Sequence, residues 1–199
     1  MKVGVIGAGA MGSGIAQAFA TTEGYEVCLC DITEEFAANG KARIVKSFDG
    51  RVAKGKMERS EADKIISKIS VGLKDICKDC DLIVEAAFES MEVKKTTFKE
   101  LHEICKSDCL FSSNTSSLSI TEIGAGIGRP VIGMHFFNPA PVMKLVEVIS
   151  GINTPREVAE KIITISKEIG KVPVEVNETA GFVVNRILVP MINEAIDLY

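Results

Sequence analysis

The chain has 199 residues, 46% hydrophobic and 25% charged, which is enough apolar content for a packed core and excludes general disorder. A net charge of −4, from 23 basic and 27 acidic residues, argues against a nucleic-acid partner. No apolar run reaches the roughly 18 residues that cross a bilayer. Met1-Lys2 leads at once into Val3-Gly4-Val5-Ile6 with no signal peptide, so the chain reads as soluble and cytoplasmic, with no membrane partner.

In chain order, short apolar runs alternate with amphipathic stretches, the pattern of a mostly parallel sheet covered by helices. Residues 2–6 predict a strand, Ala10 to about Thr21 a helix and Tyr25 to Cys30 a second strand. Residues 33–69 read as two charged helices meeting near Arg59-Ser60 and projecting partly into solvent as an arm. Asp81 to Ala86 predicts a strand, Met91 to Cys105 a helix and Cys109 to Ser112 a strand, with a short helix opening near Ser119. Val131 to Met134 and Lys144 to Ile149 follow as strands. Thr154 reads as an N-cap before Pro155 at the first helical position, and that helix runs to about Glu168 and stops at Gly170. Val172 to Val176 is the last predicted strand. From Gly181 the pattern is helical to Tyr199. The expected organisation is one α/β unit over 1–180, with 181–199 leading out of it.

Gly7-Ala8-Gly9-Ala10-Met11-Gly12 is a G-x-G-x-x-G between the first strand and the first helix. Gly7 permits the tight turn, Gly9 lets a pyrophosphate approach the backbone, and Gly12 lets helix pack close on strand. The helix N-terminus then offers free N–H groups to phosphates. Asp31 ends the second strand, 19 residues after Gly12, where a carboxylate accepts hydrogen bonds from the adenosine ribose and repels a 2′-phosphate. No Arg occurs in Ile32-Thr33-Glu34-Glu35, so the expected cofactor is NAD. A glycine-rich turn in another α/β protein, with Asp31 merely capping the next helix, is the plain alternative.

His135 lies in Gly133-Met134-His135-Phe136-Phe137-Asn138-Pro139, where a strand enters a proline-bounded loop. Carboxyl ends of strands are where open α/β sheets build sites. Glu147 is a lone carboxylate in Leu145-Val146-Glu147-Val148-Ile149, and buried carboxylates are rare unless paired. A His–Glu proton-transfer pair competes here with a His satisfied by backbone and a Glu on a sheet edge. The Ser112–Ser117 cluster, Asn114 included, could equally fill turns and cap helices. Asn185 could be an ordinary packing amide, and His102, among charges on a helix, reads as a surface residue. The six cysteines read as small apolar core residues, with zinc or redox use of Cys77 and Cys80 as the alternative.

The segments GAGAMGSGIAQAFA, VEAAFE, SNTSSLSI, GMHFFNPAPVMKLVEVI and GFVVNRILVPMINEA together resemble the 3-hydroxyacyl-CoA dehydrogenase family over nearly the whole chain. The resemblance implies a Rossmann-type, doubly wound α/β fold, NAD as cofactor and an acyl-CoA substrate, acetoacetyl-CoA or 3-hydroxybutyryl-CoA. It implies His135 as the general base or acid, Glu147 as its orienting partner, and Ser116 and Asn185 on the substrate oxygen. Gly7, Gly9, Met11, Gly12, Asp31, Glu89, Lys94 and Asn114 would serve the cofactor. Ser47, Lys54 and Lys56 would meet the CoA phosphates. The family continues into an all-helical domain that supplies much of a homodimer interface, and this chain is expected to end in that domain's first helix. An isolated NAD-binding module without competent catalysis is the second reading.

Overall fold

The computed structural model describes residues 1–199. One eight-stranded sheet has the order β3-β2-β1-β4-β5-β6-β7-β8. The strands are β1 (Lys2–Ile6), β2 (Glu26–Cys30), β3 (Ile69–Gly72), β4 (Leu82–Glu85), β5 (Leu110–Ser113), β6 (Val131–Phe136), β7 (Leu145–Ser150) and β8 (Val172–Asn177). Pairing is parallel from β3 through to β6; β7 runs antiparallel to β6, and β8 is parallel to β7. Strand order reverses between β1 and β4, which opens a crevice at their carboxyl ends, the usual ligand position in such sheets.

The helices are α1 (Ala10–Thr21), α2 (Glu34–Ala53), α3 (Arg59–Ser67), α4 (Met91–Ile104), α5 (Ile120–Gly124), α6 (Arg156–Glu168) and α7 (Val184–Asp197). Side chains alternate across the sheet, so each face has its own core. One core joins Val3, Val5, Leu29, Val84, Met134 and Val148 to Ile15, Phe19, Phe48 and Ile162 of α1, α2 and α6. The other sets Ile83, Phe111 and Ile149 against Phe98, Leu101 and Ile123 of α4 and α5. All six cysteines are free, buried and part of this second core.

Several sequence expectations need correction. The two arm helices are separated by residues 54–58 rather than meeting at Arg59-Ser60, and α2 lies along the domain through buried Ala37, Gly40, Ile44 and Phe48. β3 was absent from the sequence reading: Ile69–Gly72 is a four-residue edge strand with only Ile69 and Gly72 buried, too short to show an apolar alternation. Thr154 is not the N-cap of α6. Its hydroxyl accepts from Gly151 N–H (2.9 Å) and donates to the Val131 carbonyl (3.1 Å), which leaves Pro155 at the cap. Gly170 ends α6 as expected, with φ +73°. His102 is half-buried: its Nδ1 accepts the Arg129 Nε–H at 3.0 Å, and the guanidinium stacks on Phe111.

α7 follows a tight turn in which Gly181 has φ +76° and Phe182 φ +50°. None of its residues is buried, and Ile187, Val189, Met191, Ile192 and Ile196 are exposed. No helix is long and apolar enough to cross a membrane.

Candidate active site

At the β1–α1 turn each glycine has a distinct physical reason. A Cβ on Gly7 would lie 2.5 Å from the Ala86 carbonyl oxygen, and one on Gly12 would lie 1.7 Å from the Gly7 carbonyl oxygen. A Cβ on Gly9 would meet nothing within 4 Å. Gly7 and Gly12 therefore serve the protein's own packing, whereas Gly9 faces open space before the N-terminus of α1. That open face suits a pyrophosphate. Met11, in the first turn of α1, packs against the adjoining core.

Asp31 stands at the end of β2 as expected. Its Oδ2 accepts the Ala8 N–H (2.6 Å) and its Oδ1 the Ile32 N–H (2.7 Å), so the carboxylate is aimed at the glycine turn with lone pairs to spare. A second residue reaches this turn: Arg43 Nη1 donates to the Ala8 carbonyl at 2.7 Å. Arg43 lies beyond residues 32–35, the stretch after β2 in which the sequence holds no Arg. Gly40 has no Cβ to hold α2 away, for one there would lie 2.6 Å from the Ala8 Cβ, and this close approach brings Arg43 to the turn one helical step later.

His135 and Glu147 are directly opposite residues in the antiparallel β6–β7 ladder. Both side chains lie on the sheet face that carries α4 and α5. His135 Nδ1 is 2.8 Å from Glu147 Oε2, and the two side chains are only 6% and 2% exposed. Phe137 and Phe182 flank the imidazole with ring centroids 4.6 and 5.6 Å away. The other oxygen of Glu147 accepts the Val183 and Val184 N–H groups at 3.1 and 3.0 Å, where α7 begins. A carboxylate held in this way accepts from Nδ1–H and leaves Nε2 as the imidazole's open, proton-accepting nitrogen.

Ser116 and Asn185 also come together, although through backbone: Asn185 Nδ2 donates to the Ser116 carbonyl at 3.4 Å. The Ser116 N–H donates to Glu89 Oε1 at 2.9 Å, so the contacts that place this residue are made by its backbone. Ser116, Asn185, Gly181 and Arg186 line one cavity of about 410 Å³ between this loop and α7. Asn114 ties strands instead of facing that cavity, with Oδ1 accepting the Phe136 N–H at 2.8 Å and its own N–H donating to the Glu85 carbonyl.

Lys94 is buried, and all three of its contacts are carboxylate oxygens: Glu85 Oε1 (2.8 Å), Glu85 Oε2 (3.1 Å) and Glu89 Oε2 (3.2 Å). Its ammonium therefore faces these acids and not open space. Burial opposes ionisation of Glu89, but the Thr115 hydroxyl, the Lys94 ammonium and the Ser116 N–H outweigh it and hold the carboxyl below the usual carboxylate range. Glu85, fully buried at the end of β4, was not singled out from the sequence. The signal was there: a carboxylate closing the apolar run Leu82-Ile83-Val84, the same pattern that flagged Glu147. Ser47, Lys54 and Lys56 are exposed on α2 and the turn after it, and no bond links them to the His–Glu pair.

A sheet with an open glycine turn at its switch point and a buried imidazole–carboxylate pair farther along the same edge has the layout of a nicotinamide-dependent dehydrogenase. Residues 2–179 match the family described as 3-hydroxyacyl-CoA dehydrogenase, NAD binding domain. The 3-hydroxybutyryl-CoA dehydrogenase of Clostridioides difficile is 51% identical over 203 residues, covering 100% of this chain and 72% of that protein. The probable 3-hydroxybutyryl-CoA dehydrogenase of Bacillus subtilis is 46% identical, covering 98% of this chain and 69% of that one. The crystal structure of (S)-3-hydroxybutyryl-CoA dehydrogenase from Ralstonia eutropha superposes with a TM-score of 0.93 at 41% identity, covering 98% of this chain and 69% of that one. The chain belongs to the 3-hydroxyacyl-CoA dehydrogenase family, and its cofactor is NAD.

Proposed function

We infer that the protein interconverts 3-hydroxyacyl-CoA and 3-oxoacyl-CoA with NAD(H), with 3-hydroxybutyryl-CoA and acetoacetyl-CoA as the substrate pair. The observation that carries the reading is the buried His135–Glu147 pair on the same sheet edge as the open Gly9 cradle. β6 lies three strands from β1, about 14 Å at ~4.8 Å per strand, so the two features suit opposite ends of an extended dinucleotide. Bound NAD(H) supplies or accepts the hydride at its nicotinamide ring.

The chain's own groups handle the proton. In the oxidative direction His135 Nε2 takes the 3-hydroxyl proton, and in the reductive direction it returns one. Glu147 fixes the tautomer through Nδ1 and stabilises the imidazolium. The Ser116 hydroxyl donates to the substrate oxygen, and Asn185 helps to set the loop that carries it. Gly7, Gly9, Met11, Gly12 and Asp31 form the adenosine and pyrophosphate end, while Glu89, Lys94 and Asn114 support the nicotinamide end. The exposed Ser47, Lys54 and Lys56 are placed for the CoA phosphates. The division near residue 180 is supported by the Gly181–Phe182 turn and by an α7 with no buried residue. Six free, buried cysteines support a cytoplasmic location, and the apolar exposed face of α7 supports self-association as a homodimer.

The test is NADH oxidation with acetoacetyl-CoA. Turnover by the protein that His135→Gln lowers about 10²–10⁴-fold, with NADH binding retained, is the expected result. NADH binding without any acetoacetyl-CoA turnover sinks the reading.

A further inference from the structure

We propose that Glu85 is a positioning residue for the reaction: it sets Ser116 through the chain Glu85–Lys94–Glu89, and the same carboxylate fixes the floor beneath the glycine turn. The proposal rests on the dehydrogenase reading of Ser116.

Glu85 is over-determined where it stands. Its Oε1 accepts the Ala87 N–H (2.7 Å) and its Oε2 the Ser113 hydroxyl (2.6 Å), while Lys94 reaches both oxygens. The ammonium also binds Glu89 Oε2, so the position of Glu89 depends on where Glu85 puts Lys94. Glu89 Oε1 in turn accepts from the Thr115 hydroxyl (2.5 Å) and the Ser116 N–H (2.9 Å). Every link from the fully buried end of β4 to the Ser116 backbone is therefore a charge-assisted contact of 3.2 Å or less, and such contacts are short and directional.

A second arm leaves the same carboxylate. The Ala87 N–H bond holds the peptide segment that follows β4, and the Ala86 carbonyl in that segment lies directly under Gly7. Glu85 thus orders both the loop that offers a hydroxyl to the substrate and the surface on which the cofactor turn rests. Stability alone does not call for this arrangement. A buried ion pair is often no more stabilising than a well-packed apolar pair of similar volume. Here the ion pair delivers something an apolar pair cannot: a fixed positive group beside Glu89.

The experiment separates placement from stability. Glu85→Gln leaves Lys94 short of a charge partner and is expected to lower both Tm and kcat. The double variant Glu85→Met/Lys94→Met removes both charges, and it is expected to regain most of the lost Tm while kcat stays about 10–100-fold below wild type. Its NADH affinity is expected to fall as well, since Lys94 stands at the nicotinamide end and Glu85 holds the floor beneath the glycine turn, and amide exchange in residues 114–118 is expected to quicken. Recovery of kcat together with Tm would overturn the proposal, as would unchanged exchange at 114–118.

Should the double variant not fold, Glu85→Gln is compared with Glu89→Gln at the half-exposed end of the chain. One pathway predicts that the two single effects on kcat and on exchange are non-additive when combined, and additive effects overturn it. Faster exchange at 114–118 in the variants, together with no acetoacetyl-CoA turnover by the wild-type protein, defeats the dehydrogenase reading and leaves the placement of the loop standing.

Discussion

Glu147 has both oxygens in use, one on His135 Nδ1 and the other on two backbone N–H groups. Glu147→Gln keeps the size but offers Nδ1–H a weaker acceptor and the imidazolium no counter-charge, so kcat is expected to fall about 10²-fold or more with little change in NADH affinity. Stopped-flow turnover beside fluorescence titration checks this. Glu89 and Glu178 bear on acid stability: burial works against their ionisation, yet their hydrogen-bond partners, Thr115 and Lys94 for the one and Ser119 and Thr121 for the other, hold both below the usual range. A carboxyl with a depressed folded pKa contributes stability that is present above its unfolded value and lost as pH falls through the folded one. The expected result is a Tm that declines as pH drops below the ordinary carboxylate value, with a shallower decline in Glu178→Gln. At this scale His135 and Glu147 were legible because a polar residue inside an apolar run needs a partner. Arg43 was not, because its place depends on how closely α2 packs at Gly40, a distance no local pattern encodes.

The β1–α1 unit allows a contrast between two substitutions of the same chemistry. Gly12→Ala drives a methyl group into the Gly7 carbonyl oxygen and is expected to destabilise the fold by about 3 kcal/mol or more. Gly9→Ala meets no protein atom, so it is expected to leave Tm nearly unchanged and to weaken NADH binding about tenfold or more. Calorimetry with NADH titration on the two variants decides whether Gly9 serves the ligand and Gly12 the protein. Strand–helix alternation was readable for most elements because their apolar runs are long. β3 was not readable, with two of its four residues exposed on the sheet edge, and neither was the Thr154 cap, whose hydroxyl answers to the Val131 carbonyl on another strand.

For the molecule as a whole, the reversal of direction at β7 creates the site. An antiparallel partner places Glu147 directly opposite His135, whereas the parallel strands before it deliver the cofactor cradle. The sequence named both strands but held no signal for their relative direction. The face of α7 carries the exposed Ile187, Val189, Met191, Ile192 and Ile196, and Ile187→Glu with Met191→Lys is expected to shift the proposed homodimer towards monomer in light scattering without lowering the Tm of the monomer. α7 is attached to the sheet through Glu147. Its opening N–H groups donate to the Glu147 carboxylate, and Phe182, in the left-handed turn just before it, lies against the His135 imidazole. The start of the helix and the imidazole are thus moored to one side chain. Displacing the start of α7 would withdraw two of the three hydrogen bonds that hold Glu147 opposite His135.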